Sequence, residues 1–88
     1  MKIHELLDSP AKWCQGAITT KVEGQPTRYC LVGAIFHCYD NNKVHEHDDL
    51  VAVLTQLFHA LEMSPSEWND DPLRTFDEVR ALVLKLDI

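Results

Sequence analysis

Ten consecutive residues, Cys30 to Tyr39, read CLVGAIFHCY and carry no formal charge. On a helical wheel Leu31, Val32, Ile35, Phe36, Cys38 and Tyr39 cover most of the circumference. Cys30, Gly33, Ala34 and His37 fill the remaining stripe. A helix that is apolar nearly all round must sit at the centre of its domain. A buried strand fits a run this short equally well by periodicity. With no second strong strand to pair with, the helix is the better reading. A chain of 88 residues has room for one core, so this segment organises the whole fold.

The other segments arrange themselves around it. Ile3, Leu6 and Leu7 repeat at helical spacing, and Pro10 ends that helix near Asp8. Ser9-Pro10 opens a second turn that carries Trp13 inward. Leu50, Val51, Val53, Leu54, Leu57, Phe58, Ala60 and Leu61 fill half a wheel and predict an amphipathic helix over 49–62, capped by Asp48 or Asp49. Ser64-Pro65-Ser66-Glu67 has the pattern of a capping box, with Met63 and Trp68 at the staple positions. Thr75-Phe76-Asp77-Glu78 repeats that pattern and opens a last helix with Phe76, Val79, Leu82, Val83 and Leu86 facing inward. Residues 17–28 combine β-branched residues with a Glu-Gly-Gln-Pro turn signal, and read as a small hairpin or as an irregular loop. The expectation is a single all-α domain over residues 1–88: four to five short helices, with a long N-terminal loop or small hairpin at 17–28.

Charge narrows the function classes. Residues 1–45 hold five Lys/Arg against four Asp/Glu, and residues 46–88 hold three against ten. So acidic a second half repels a phosphate backbone, which argues against nucleic-acid binding. The charged N-terminus, Met-Lys-Ile-His-Glu, is not a signal peptide, and no run approaches a membrane span. Three cysteines without a paired pattern argue for reduced thiols and a cytoplasmic setting.

Two constellations could carry chemistry. Cys30 starts the central helix, where a helix N-terminus favours a thiolate. His45 or His47 could serve as its base, giving a cysteine-dependent hydrolase-like enzyme. His37 stands about 10 Å further along the same helix, out of hydrogen-bond reach. His37, Cys38, His45, His47 and Asp48 cluster in sequence but lack zinc-ligand spacing, so neither a metal nor another cofactor is expected. On the last helix, Ala81, Leu84 and Ile88 form a second apolar stripe away from the core face, the pattern by which a helix meets a partner. An uncatalytic interaction module, homodimer or adaptor, is therefore the first expectation. The cysteine enzyme is the alternative, and an acidic inhibitor of a basic protein is the third.

Three motifs recur in order along the chain. They are W-x-x-G-A at Trp13–Ala17, C-L-V-G-A at Cys30–Ala34, and W-N-D-x-P-x-R-T at Trp68–Thr75 followed by Glu78-Val79. Together they resemble a family of small bacterial and phage proteins filed as a domain of unknown function. The resemblance runs from about residue 5 onward. It implies a bacterial or phage cytoplasmic setting and brings no activity, substrate or cofactor. The residues themselves account for the motifs structurally: two tryptophan anchors, a Gly-Ala close approach and a helix cap.

Overall fold

In a computed structural model of the chain, residues 1–39 and 47–88 are described, without the side chains of residues 47–49. The described elements are helix α1 (Ile3–Leu6), a 3₁₀ turn (Pro10–Lys12), strands β1 (Thr19–Thr20) and β2 (Arg28–Tyr29), and helices α2 (Leu31–Tyr39), α3 (His47–Leu61), α4 (Pro65–Asn69) and α5 (Phe76–Leu86). The apolar run at 30–39 is a helix, and it is central: α2 packs against α1, α3 and α4. Leu31, Ala34 and Ile35 have no exposed surface. They join Ile3, Leu7, Leu57, Val79 and Val83 in one buried cluster.

The all-α expectation is overturned by β1 and β2, which pair antiparallel with Thr19 opposite Tyr29 and Thr20 opposite Arg28. The fold is mixed α/β. The hairpin turns at Glu23-Gly24, where Gly24 has φ +80° and Gln25 N donates to Val22 O. So short a hairpin is weak alone; docking on α2 supplies the rest. Cys30 N donates to Ile18 O at 3.1 Å. A Cβ on Gly33 would stand 2.1 Å from that same Ile18 oxygen. Only glycine in the helix lets the hairpin backbone approach so closely. Trp13 adds a parallel bridge to Tyr29, with Cys14 N donating to Tyr29 O at 3.1 Å.

Of the two capping boxes expected after α3, the one at Thr75 is complete and the one at Ser64 is half made. Ser64 Oγ accepts from Glu67 N at 3.1 Å. Thr75 and Glu78 cap each other reciprocally at the start of α5. Met63, expected as a staple, stays 40 % exposed. The Trp68 indole is covered instead by the Arg74 guanidinium, 3.9 Å from the ring centroid, while Arg74 Nε donates to Trp68 O.

Three further expectations need correction. The helix begins at His47, ahead of the expected Asp48 or Asp49 cap. Its buried face is narrower than the wheel suggested: Leu50, Val53 and Leu57 are buried, but Val51 and Phe58 are 53 % and 50 % exposed. Ile88 is not on an outer stripe. Asp87 adopts a left-handed conformation (φ 53°, ψ 48°), which ends α5 and reverses the chain. Ile88 then folds into the core at 3 % exposure, and its backbone oxygen accepts from Ile3 N and His4 N. Helical spacing no longer applies past Leu86.

Candidate functional site

The three sequence motifs converge on one side chain. Asn69 ends α4, is fully buried, and fills all four of its hydrogen-bonding positions. Its Oδ1 accepts from the Trp13 indole N–H at 2.7 Å and from Leu31 N, at the start of α2, at 3.0 Å. Its Nδ2 donates to Cys14 O at 3.1 Å and to Asp70 Oδ1 at 2.9 Å. The same Asp70 oxygen accepts from Gly16 N at 3.1 Å. Gln15 Nε2 returns the contact by donating to Asn69 O and Asp71 O, both at 2.8 Å. A buried indole N–H needs an acceptor, and the unpaired amide at a helix N-terminus needs one too. Asn69 satisfies both at once.

Beside this hub lies a small, mostly polar cleft of about 230 Å³ whose walls include Gly16, Ile18, Cys30, Ser66 and Asp70. Cys30 caps α2: its Sγ accepts from Gly33 N at 3.3 Å. A nucleophilic cysteine also needs a base within reach. Among the described residues no imidazole lines this cleft. The ring of His37 packs on Tyr29, with centroids 4.9 Å apart. The His4 Nε2 lies 3.1 Å from Asp87, and His59 is exposed on α3. His45 lies outside the described residues. So does the side chain of His47, whose backbone begins α3. Of the other thiols, Cys38 is pushed up to about 11 by burial, and desolvation likewise raises Cys14. Burial thus favours the neutral thiol over the thiolate at both positions. Among the described residues no group of three His, Cys, Asp or Glu side chains could hold a metal ion.

A second feature faces outward. Val51, Leu54, Thr55 and Phe58 surround a shallow apolar hollow on α3, edged by His59, with a volume of about 470 Å³. Thr55 belongs to this surface without offering it a free donor, since its hydroxyl donates to Val51 O at 2.8 Å. Charged residues make up a quarter of the chain, yet none occurs between Leu50 and Leu61. That absence was visible in the sequence. What concealed its meaning was assigning Val51 and Phe58 to the core. Of the expected contact residues on α5, Ala81 is exposed and Leu84 is half exposed, but Ile88 is buried. The stripe thus loses Ile88 and keeps Ala81 and Leu84 on the surface of α5.

Fold and site together define a small mixed α/β fold with a buried polar hub and, from Leu50 to Leu61, a helix stretch without Asp, Glu, Lys or Arg. Its family follows from the chain as a whole. A family of unknown function, DUF6197, matches residues 1–86, and the chain belongs to it. No curated protein and no solved structure matches the chain. Among the described residues no helix is long and apolar enough to cross a membrane.

Proposed function

We propose that this chain is a single-domain, non-enzymatic protein-interaction module that works in a reducing cytoplasm, and that it docks through the exposed face of α3. One observation carries the reading: on α3, half-exposed Val51 and Phe58 lie in a stretch, Leu50 to Leu61, that holds no Asp, Glu, Lys or Arg. A contiguous exposed apolar patch marks a contact surface far more often than does a scattered leucine. Leu54 packs against the cluster that holds Leu50, Val53 and Leu57, while the exposed Val51 and Phe58 lie outside it. The acidic second half supports a protein partner over nucleic acid. The motif resemblance supports a bacterial or phage setting. Relative to the sequence expectation, the contact surface moves from the α5 stripe to α3.

The test places a photoreactive amino acid at position 55 or, as a comparison, at position 84, in the cells that make the protein. Irradiation is expected to give covalent protein adducts from position 55 and few from position 84. Adducts from neither position would overturn the reading, and adducts from 84 alone would return the surface to α5.

A further inference from the structure

We propose that Cys14 and Cys30 are a redox-modifiable pair that closes to a disulfide at the foot of α2 and reopens on reduction. This inference is independent of the reading of α3 as a docking face. The backbone brings the two residues side by side. Trp13 and Tyr29 are partners in a parallel bridge, and Cys14 and Cys30 are the next residue on each segment. Cys14 N donates to Tyr29 O at 3.1 Å, which holds that register. Neighbouring residues on paired strands lie about 5 Å apart and send their side chains to the same face. Asn69 then clasps both segments one carboxamide apart: its Nδ2 donates to Cys14 O, and its Oδ1 accepts from Leu31 N. The Cα atoms of a disulfide stand roughly 4.4–6.8 Å apart, the range this register supplies. The side chains converge as well. Cys14 Sγ donates to Ala17 O at 3.5 Å, and Ile18 O, one residue on, accepts from Cys30 N at 3.1 Å. Desolvation first, and a charge on Cys30 further, raise the Cys14 thiol, so the two sulfurs lie within electrostatic reach of each other. Distance excludes Cys38, which stands eight residues beyond Cys30, about 12 Å along the helix.

A disulfide in a reducing cytoplasm is transient, and serves to sense oxidant. The oxidant here is a small hydroperoxide. Cys14 is the more exposed thiol of the pair and meets it first. The O–O bond breaks, an S–O bond forms on Cys14, and the hydroperoxide leaves as alcohol or water. Cys14 is then a sulfenic acid. Cys30 Sγ, steadied by the Gly33 N–H at 3.3 Å, attacks that sulfur. The S–S bond forms, the S–O bond breaks, and the departing hydroxide takes the Cys30 proton and leaves as water. Two thiols have lost two electrons, and the hydroperoxide has gained them. A thiol held largely neutral reacts slowly, so the pair answers sustained oxidant rather than a brief pulse. The bond pins the cleft wall made by Gly16, Ala17 and Ile18 to the wall made by Cys30. Oxidation therefore sets the shape of that cleft.

Treating the folded full chain with hydrogen peroxide, then blocking the remaining thiols and digesting with trypsin, reads the pairing directly. The expected product is a monomer that has lost two hydrogen atoms, with residues 13–21 joined to residues 29–43. Fragmentation should place the bond on Cys30 rather than Cys38, and dithiothreitol should release it. Cys14→Ser should abolish the link and Cys38→Ala leave it unchanged, with circular dichroism establishing that each variant is folded. The wild-type map stands by itself should a variant not fold. The linked chain should also melt several degrees above the reduced one, because the bond closes residues 15–29 into a loop. Thiols that stay unpaired while sulfinic acid accumulates overturn the pair. So does a bond that uses Cys38, joins two chains or forms only in urea, and so does a linked chain that melts no higher than the reduced one.

Discussion

Asn69 shows how one residue can be indispensable without being reactive. Its amide joins Trp13, Cys14 and the first amide of α2 across separations of 56, 55 and 38 residues. Truncation leaves an indole N–H, a backbone N–H and a carbonyl without partners inside the protein. Each such group costs about 1–3 kcal/mol, and partial relaxation toward water recovers some of it. Asn69→Ala is therefore expected to destabilise by about 3 kcal/mol or more, a large share of what so small a domain has. Urea unfolding checks this: the midpoint should fall with little change in slope. An unchanged midpoint would mean that the hub is dispensable.

Among the helices, α5 depends most visibly on its ends. Thr75 Oγ1 accepts from Glu78 N, and Glu78 reaches back to Thr75 N at 3.0 Å. Arg74 adds an ion pair to the same carboxylate at 2.9 Å. At the far end, left-handed Asp87 donates its N–H to Leu84 O and Val83 O. Thr75→Ala removes an acceptor for a first-turn amide and should cost about 1 kcal/mol, measured as a shift in thermal midpoint of several degrees. No shift would mean that α5 does not rely on this cap. The central helix depends on its ends differently. Its first amide is satisfied by Asn69 from α4, far away in sequence, and its start is fixed by tertiary structure.

For the molecule as a whole, the first and last segments lock together, and this sets its response to acid. Lys2 Nζ lies 2.8 Å from Asp87 and His4 Nε2 lies 3.1 Å from it. The Lys2 ammonium first, and His4 second, hold the Asp87 carboxyl below its ordinary value. Lys12 does the same for Asp8, and the Thr75 backbone N–H does it for Glu78. Carboxyls with lowered folded-state values favour folding above their unfolded values, and that contribution is lost as pH falls through the folded ones. Stability should hold steady near neutrality and decline as pH drops below the ordinary carboxylate range of roughly 4. All three groups are exposed, so each contribution is small. Thermal melts across this range check the prediction, and Asp87→Asn should flatten part of the decline. An equally steep decline in that variant would remove Asp87 from the account.

The sequence alone determined where the helices form, because periodicity, prolines and capping residues act within a few positions of one another. The helix at Leu31–Tyr39 had to lie at the centre of the fold, although Phe36 and His37 reach the surface, and Thr75 and Glu78 had to cap. The capping chemistry of Ser64 was legible for the same reason. Tertiary structure decided the rest. Whether residues 17–28 paired as strands depended on Gly33 admitting the Ile18 carbonyl, a contact across the fold. Whether Val51 and Phe58 were core or surface depended on how far α3 is rolled against α2, since a wheel marks an apolar arc without saying how much of it a neighbour covers. Ile88 left its expected stripe because one left-handed residue ended the helix before it. Asn69 became the hub only when three distant segments met, and their unsatisfied donors and acceptors could be paired only in the folded chain.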